Sequence, residues 1–306
     1  MNKNTFQKIL DDYSLTLISF SLINGGSSNT SYLVETKQGH YTLTLFNEKS
    51  REDVLNLSQL LLLLADYNFP STRSLCSNTG DKVTVYNNKP VLVKNYIAGF
   101  ICEYLNTDML EKVGRSLATL HQLPVPDYLP VQHPYGSQIF NRINDKNIDS
   151  NYETWLQVWA EDFRQNKITG LPRGLIHGDL FYDNIIFENK QFKAIIDFEE
   201  ACFYYKIFDL GMAILGLCRE SNKLLFFKAK ALVKGYQQVQ PLNMQEVKAL
   251  QKFVEYAAVA TSFWRFWKYN IDTSNTEKMH KHLEMVQFAI RVKAVPEKIF
   301  LDKVFD

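Results

Sequence analysis

The sequence predicts an α+β chain of two lobes: a small antiparallel β lobe with one helix over residues 1–96, then a larger, mostly helical lobe over residues 97–306. Two observations predict it. Between residues 15 and 93, short β-like runs (15–23, 31–36, 41–46, 82–86 and 90–93) alternate with turn residues such as Gly25-Gly26, Gln38-Gly39 and Asn87-Asn88. That is the pattern of an antiparallel meander. After Tyr96-Ile97-Ala98-Gly99 the apolar residues take up helical spacing instead.

Within the meander, Ser50 and Asp53 read as a helix-capping pair. Val54, Leu57, Leu60, Leu61 and Leu64 then recur at helical spacing until Asn68-Phe69-Pro70 stops the helix. In the second lobe, Leu110, Val113, Leu117 and Leu120 share one helical face. Pro124, Pro126, Pro130 and Pro134 mark an extended surface excursion, and from Tyr204 onward the pattern is almost wholly helical. The exception is a β-hairpin, with runs 185–187 and 192–196 joined by the polar turn Glu188-Asn189-Lys190-Gln191. It carries Asp179 and Asn184 before it and Asp197 after it.

A chain of 306 residues with 46% hydrophobic composition can supply a substantial core. Its 34 basic and 33 acidic residues leave a formal charge of +1, which gives no reason to expect nucleic acid as a partner. Cys76, Cys102, Cys202 and Cys218 show no metal or redox spacing and read as buried thiols of a reducing compartment. Lys3, Lys8, Asp11 and Asp12 interrupt any signal-peptide core, and the leucine run at 60–64 is too short to span a bilayer. A cytoplasmic protein without a membrane partner is expected.

Chemistry concentrates in residues 177–198. Transfer of a γ-phosphoryl group needs a carboxylate to orient and deprotonate the attacking hydroxyl, and oxygen ligands to hold Mg²⁺. His177-Gly178-Asp179-Leu180 through Asn184 matches the His-x-Asp-Leu-x-x-x-Asn catalytic loop of protein kinases, and Asp197-Phe198 stands where their metal-binding Asp-Phe-Gly would be. The bland alternative, in which Asp179 and Asn184 build a turn and Asp197 caps a helix, needs four coincident matches. His177 is expected under the loop, bonding backbone. Between the first two strands, Gly26, Ser27, Ser28 and Asn29 form a loop whose backbone N–H groups could approach ATP phosphates, and the hinge near Asn95 and Tyr96 is expected to hold the adenine.

Gly174-Leu175-Ile176-His177-Gly178-Asp179 with Ile196-Asp197-Phe198 resembles the aminoglycoside phosphotransferase and choline kinase superfamily, which shares the two-lobed protein-kinase fold. Within it, Tyr41-Thr42-Leu43-Thr44-Leu45-Phe46, Leu180-Phe181-Tyr182-Asp183-Asn184, Ala201-Cys202 and the stretch Lys230-Ala231-Leu232-Val233-Lys234-Gly235-Tyr236-Gln237 are most similar to bacterial homoserine kinases of the phosphotransferase type. The resemblance implies Asp179 as catalytic base, Asn184 and Asp197 as Mg²⁺ ligands, Gly26 and Asn29 in the nucleotide loop, and Asp209 as a brace for the catalytic loop. It further implies ATP and Mg²⁺ as cofactors, a small-molecule alcohol as substrate and a place in threonine biosynthesis. Two departures stand out. Thr44 occupies the strand position where protein kinases keep a phosphate-binding lysine, so phosphate charge must be met by Mg²⁺, backbone N–H groups or another cation such as Lys49 or Arg51. The insert between Leu120-His121 and Gly174 is also short, and such inserts shape the acceptor pocket.

Homoserine is a zwitterion and needs an anion for its ammonium and a cation for its carboxylate. Glu199 and Glu200 are candidates for the first and Arg265 for the second. Trp264, Trp267 and Tyr269 keep a choline-like acceptor open, although helical spacing argues against all three pointing one way. Homoserine ranks first, another small amino alcohol second and an aminoglycoside third. A nucleotide-binding pseudokinase is the competing class.

Overall fold

The computed structural model describes residues 2–23, 29–144, 146–166 and 168–306. The chain begins with α1 (Lys3–Asp11), β1 (Leu17–Leu22), β2 (Thr30–Thr36), β3 (Gly39–Leu45), α2 (Arg51–Asp66), β4 (Thr84–Tyr86), β5 (Lys89–Asn95) and β6 (Phe100–Ile101). Then come α3 (Thr107–Leu120), a 3₁₀ stretch (Ser137–Ile143), α4 (Ser150–Gln165), β7 (Arg173–Ile176), β8 (Ile185–Glu188), β9 (Gln191–Ile195) and β10 (Cys202–Tyr205). The rest is α5 (Lys206–Leu217), β11 (Arg219–Glu220), β12 (Lys223–Leu224), α6 (Phe226–Gln237), α7 (Met244–Phe266), a π-helical turn (Trp267–Asp272), α8 (His282–Lys293) and α9 (Glu297–Phe305).

These elements form two compact units, Met1–Ile101 with Ile185–Glu199, and Cys102–Asn184 with Glu200–Asp306. The expected boundary at residue 96 thus lies a few residues early, and the hairpin assigned to the helical lobe groups with the first unit. Pairing explains both differences. Phe100 and Ile101 of β6 pair with Phe187 and Ile186 of β8, and Ile195 N–H donates to the Pro70 carbonyl at 3.0 Å.

The first unit is built on an antiparallel sheet of order β1-β2-β3-β5-β4. Phe6 and Leu10 of α1 pack with Val34, Leu43, Val91 and Val93 in its core. Asn2 starts α1 by accepting the Thr5 N–H; the sequence pattern does not predict this helix. Ser50 and Asp53 make a reciprocal capping box on α2, whose buried face is Val54, Leu57, Leu60, Leu61 and Leu64. The β8–β9 turn places Asn189 and Lys190 at φ 49° and 61°. Two consecutive left-handed residues give the primed turn that matches strand twist.

In the second unit α5 is buried almost all round. Two short antiparallel pairs, β7 with β10 and β11 with β12, lie within the lobe that the sequence presents as mostly helical. Their strands are two to four residues long, too short for periodicity to register. The cysteines also divide: Cys202 and Cys218 are buried, whereas Cys76 is exposed on a loop and Cys102 is half-buried, so burial of all four is not observed.

Helices α3 and α6 approach backbone to backbone through two glycines. A Cβ on Gly114 would lie 2.1 Å from the Leu232 carbonyl oxygen, and one on Gly235 would lie 2.1 Å from that of Glu111. Gly114→Ala should therefore destabilise the protein by about 2 kcal/mol, although Ala is intrinsically the better helix former by about 1 kcal/mol. Urea denaturation measures this as a lower midpoint at unchanged slope. A stabilised variant would show that the helices are not in backbone contact.

Candidate active site

The loop at 177–184 takes its path from a buried carboxylate. Strand β7 ends at Ile176, paired with Cys202 of β10, and β10 runs directly into α5, which places Asp209 in that helix's first turn. Asp209 Oδ2 accepts the backbone N–H of His177 at 2.7 Å, and Oδ1 accepts that of Gly178 at 2.8 Å. His121 Nε2 donates to Oδ2 at 3.0 Å, while the Tyr236 hydroxyl lies 2.7 Å from His121 Nδ1. Burial by itself pushes the Asp209 carboxyl up, but the His121 hydrogen bond and the further donors hold it below its ordinary value. Gly178 sits at φ 85°, and a Cβ there would meet the Glu200 carbonyl oxygen at 2.7 Å.

That frame presents Asp179 half-buried. His177, fully buried, accepts the Asp179 N–H on Nδ1 at 3.2 Å. Asn184 donates from Nδ2 to the Asp179 carbonyl at 2.8 Å. With its nitrogen so engaged, the amide presents Oδ1 as an acceptor.

Two further residues, which the proline-rich pattern places on a surface excursion, are buried against this loop. Tyr135 donates its hydroxyl to Asp179 Oδ1 at 3.0 Å, and His133 donates from Nε2 to the Gly178 carbonyl at 3.0 Å. Spacing in the sequence carries no sign of either contact; the only trace is the compact His133-Pro134-Tyr135-Gly136 cluster itself. Burial pushes the His133 imidazole down to about 4. The ring is therefore neutral near pH 7, with its proton on Nε2.

In the first unit, Asn29 Nδ2 reaches both carboxylate oxygens of Glu199, at 2.8 and 2.7 Å. Lys49 Nζ donates to the Glu199 carbonyl at 2.8 Å and lies 4.0 Å from its carboxylate. Glu199, expected beside the acceptor, is engaged with Asn29. Asp197 is exposed at φ 65°, a conformation disfavoured for a residue with a Cβ, and no hydrogen bond or ion pair engages its carboxylate among the described residues. Gly26, Ser27 and Ser28 lie outside the described residues. Thr44 is buried, its hydroxyl 3.0 Å from that of Ser31. The Asn95 N–H donates to the Arg73 carbonyl and the Tyr96 N–H to that of His40, so neither amide is open to an adenine.

On the remaining acceptor candidates the structure is specific. Glu200 belongs with the catalytic loop, its charge acting on the Tyr135 phenol. Arg265 is paired with Glu284 at 2.8 Å and also donates to the Lys281 carbonyl. Glu284 further accepts Arg219 at 2.6 Å. Although burial raises the Glu284 carboxyl, Arg219 and Arg265 bring it below its ordinary value. Trp264 and Tyr269 meet edge to face at 6.0 Å, while Trp267 turns to Phe263. The π-helical register at 267–272 brings the five-residue pair together, where α-helical spacing would separate it.

Asp197 and Asn184 each offer a hard oxygen donor, the type that suits Mg²⁺ with phosphates and water completing the shell. Among the described residues no cluster of three or more His, Cys, Asp or Glu forms a metal site. Taken singly, each residue has the donor chemistry that such an ion takes.

The lowered His133 value sets a pH dependence of stability. The unfolded chain protonates this ring near 6.5 and the folded chain near 4, so stability is full above about pH 6.5 and falls as pH drops toward 4. The loss attributable to this residue is about 3 kcal/mol, at about 1.4 kcal/mol per pK unit. Denaturation of wild type and His133→Asn at pH 7 and pH 4.5 should show a steeper acid loss for wild type. Parallel losses would place a solvated imidazole at 133.

Comparisons with known proteins identify the family. Residues 19–242 match the phosphotransferase enzyme family. The chain is 31% identical over 277 residues to a homoserine kinase of Polaromonas naphthalenivorans, covering 81% of each chain. It is 28% identical over 266 residues to a homoserine kinase of Methylobacillus flagellatus, covering 85% of this chain and 82% of that one. Among solved structures, a microcompartment-associated aminopropanol kinase superposes with TM-score 0.74 at 17% identity, covering 100% of this chain and 99% of the other. The amicoumacin kinase hAmiN, bound to AMP-PNP, Ca²⁺ and its antibiotic, gives TM-score 0.74 at 15% identity, over 97% and 95%. These likenesses show the kinase-like α+β fold that the sequence predicts. The protein is a small-molecule kinase, and it belongs to the phosphotransferase enzyme family.

Proposed function

We propose that the protein transfers the γ-phosphoryl group of ATP to the hydroxyl of L-homoserine, as a step of threonine biosynthesis. The observation that carries this reading is the loop held by Asp209, which presents Asp179 in a chain whose curated relatives are homoserine kinases. Asp179 orients the acceptor hydroxyl and takes its proton as the oxygen attacks phosphorus. The bond from phosphorus to the β–γ bridging oxygen breaks, and ADP leaves with the electron pair. Asn184 and Asp197 would hold Mg²⁺, which supplies neutralising charge to the phosphates.

Lys49 is the better replacement for the missing strand lysine. Glu199 tethers its ammonium beside Asn29, whereas Arg51 is exposed. Asn29, with Gly26, Ser27 and Ser28, forms the nucleotide loop in this reading, and the adenine falls to carbonyls or to residues beyond Tyr96. Glu200 is the ammonium partner that remains on the catalytic loop. One observation favours a second reading, an amino alcohol without a carboxylate: Arg265, the candidate carboxylate partner, already pairs with Glu284.

Coupled ADP release with homoserine, serine, choline, 1-amino-2-propanol and an aminoglycoside discriminates these readings. Magnesium-dependent turnover should be highest with homoserine; preference for aminopropanol would transfer the assignment to the second reading, and no turnover on any alcohol would support the pseudokinase. Asp179→Asn should lower kcat by about 10²- to 10⁴-fold, and retained activity would remove Asp179 from the chemistry. Lys49→Met should lower kcat/KM for ATP by about tenfold or more. An unchanged value would return the phosphate charge to Mg²⁺ and backbone N–H groups alone.

A further inference from the structure

Tyr135 reaches the loop through a tight turn. The Gly136 N–H donates to the His133 carbonyl at 3.1 Å, and the Ser137 N–H donates to the Tyr256 hydroxyl of α7 at 2.8 Å. A Cβ on Gly136 would lie 2.9 Å from that same Tyr256 hydroxyl, so the turn sits directly on the helix. The Tyr135 ring is 7% exposed and stands edge-on to His133 at 4.2 Å. Its hydroxyl lies 3.0 Å from Asp179 Oδ1 and 3.5 Å from the Gly178 carbonyl, which also accepts His133 Nε2. A turn anchored on one helix thus delivers a phenol donor to the carboxylate and an imidazole donor to the peptide just before it.

We propose that Tyr135 is a positioning residue of the phosphotransfer reaction: its hydroxyl clamps the Asp179 carboxylate in one orientation. This deepens the proposed function and rests on Asp179 being the base. An unclamped Asp can rotate about χ2, and each misaligned rotamer removes the carboxylate from the line of the acceptor hydroxyl. Burial and the neighbouring Asp179 and Glu200 charges hold the Tyr135 phenol well above its ordinary value, so it remains a donor throughout the working range. The groups facing this pair are His133, His177, Glu200 and Cys202. His133 is neutral here, and the Cys202 thiol is kept protonated by burial.

The test is Tyr135→Phe, which keeps the ring and deletes the donor, with 3,5-difluorotyrosine at 135 restoring a donor in the same place. For Tyr135→Phe, kcat should fall about tenfold or more with KM for ATP unchanged. The fluorinated protein should recover the wild-type kcat. Carboxyl-carbon NMR of Asp179 at a single pH without substrate should show one narrow signal in wild type and in the fluorinated protein, and a displaced or exchange-broadened signal in Tyr135→Phe. Lost activity with an unchanged Asp179 signal, or a fluorinated protein as slow as Tyr135→Phe, would overturn the proposal and leave Tyr135 a packing residue. A displaced Asp179 signal in a protein inert toward homoserine would uphold the clamp while removing homoserine as the acceptor.

Discussion

The second unit depends on how the Asp209 carboxylate is accommodated. A carboxylate with no exposure to water is costly unless donors surround it, and here three N–H groups do so. Two of them are backbone amides of consecutive residues, so satisfying Asp209 also dictates the route of the chain at His177 and Gly178. The third comes from His121 at the end of α3, itself contacted by Tyr236 of α6. The close α3–α6 approach through Gly114 and Gly235 therefore belongs to the same assembly as the catalytic loop. Strand β7, helix α5 and the α3–α6 pair converge on one charge.

The unit holds two aspartates in opposite environments. Asp209 is charged, enclosed and saturated with donors, a state suited to holding geometry and unsuited to proton exchange. Asp179 is half-buried, with Tyr135 on Oδ1 and its own backbone groups tied to His177 and Asn184. Histidine plays a supporting part throughout. His121, His133 and His177 are all buried, and each spends a ring nitrogen on a neighbouring carboxylate or peptide group. An imidazole that is enclosed and bonded in this way lends rigidity to the loop, and in the proposed reaction the proton-accepting role falls to the more accessible carboxylate.

Elements that advertise themselves by local chemistry were legible in the sequence. Helix α2 has a capping box and a five-leucine-and-valine face, and the β8–β9 hairpin has a polar turn between β-branched runs. The loop at 177–184 was legible because its residue types occur at a spacing tied to a known chemistry. What escaped was set by tertiary contact. Tyr135 and His133 sit in a proline-rich stretch whose pattern means only that the chain is extended there, while in the fold His133 packs on Phe208 of α5 and Tyr135 on Trp264 of α7, with both near the Gly178 carbonyl. Helix α1 is nine residues long and packs by three apolar side chains, too few to stand out. Trp264 and Tyr269 share a face only through a π turn, which apolar periodicity does not encode.

The position of Thr44 shows how a lost residue can be structurally consistent with its neighbours. Thr44 is 2% exposed, between Ser31 and Leu92 in the strand register, with its hydroxyl bonded across to Ser31. An ammonium at that depth would need its own buried counter-charge, and the neighbouring strands supply none in register with it. Lys49, on the loop after β3, is less enclosed and keeps a quarter of its side chain exposed, with Glu199 alongside. A cation there retains partial hydration and a carboxylate partner, and its long stem can move the charge without disturbing the sheet. The sheet is then free to close over Thr44 as an ordinary β-branched core residue. In the proposed reading, phosphate recognition in the first unit thereby passes from the strand to the loop segment that Glu199 and Asn29 hold together.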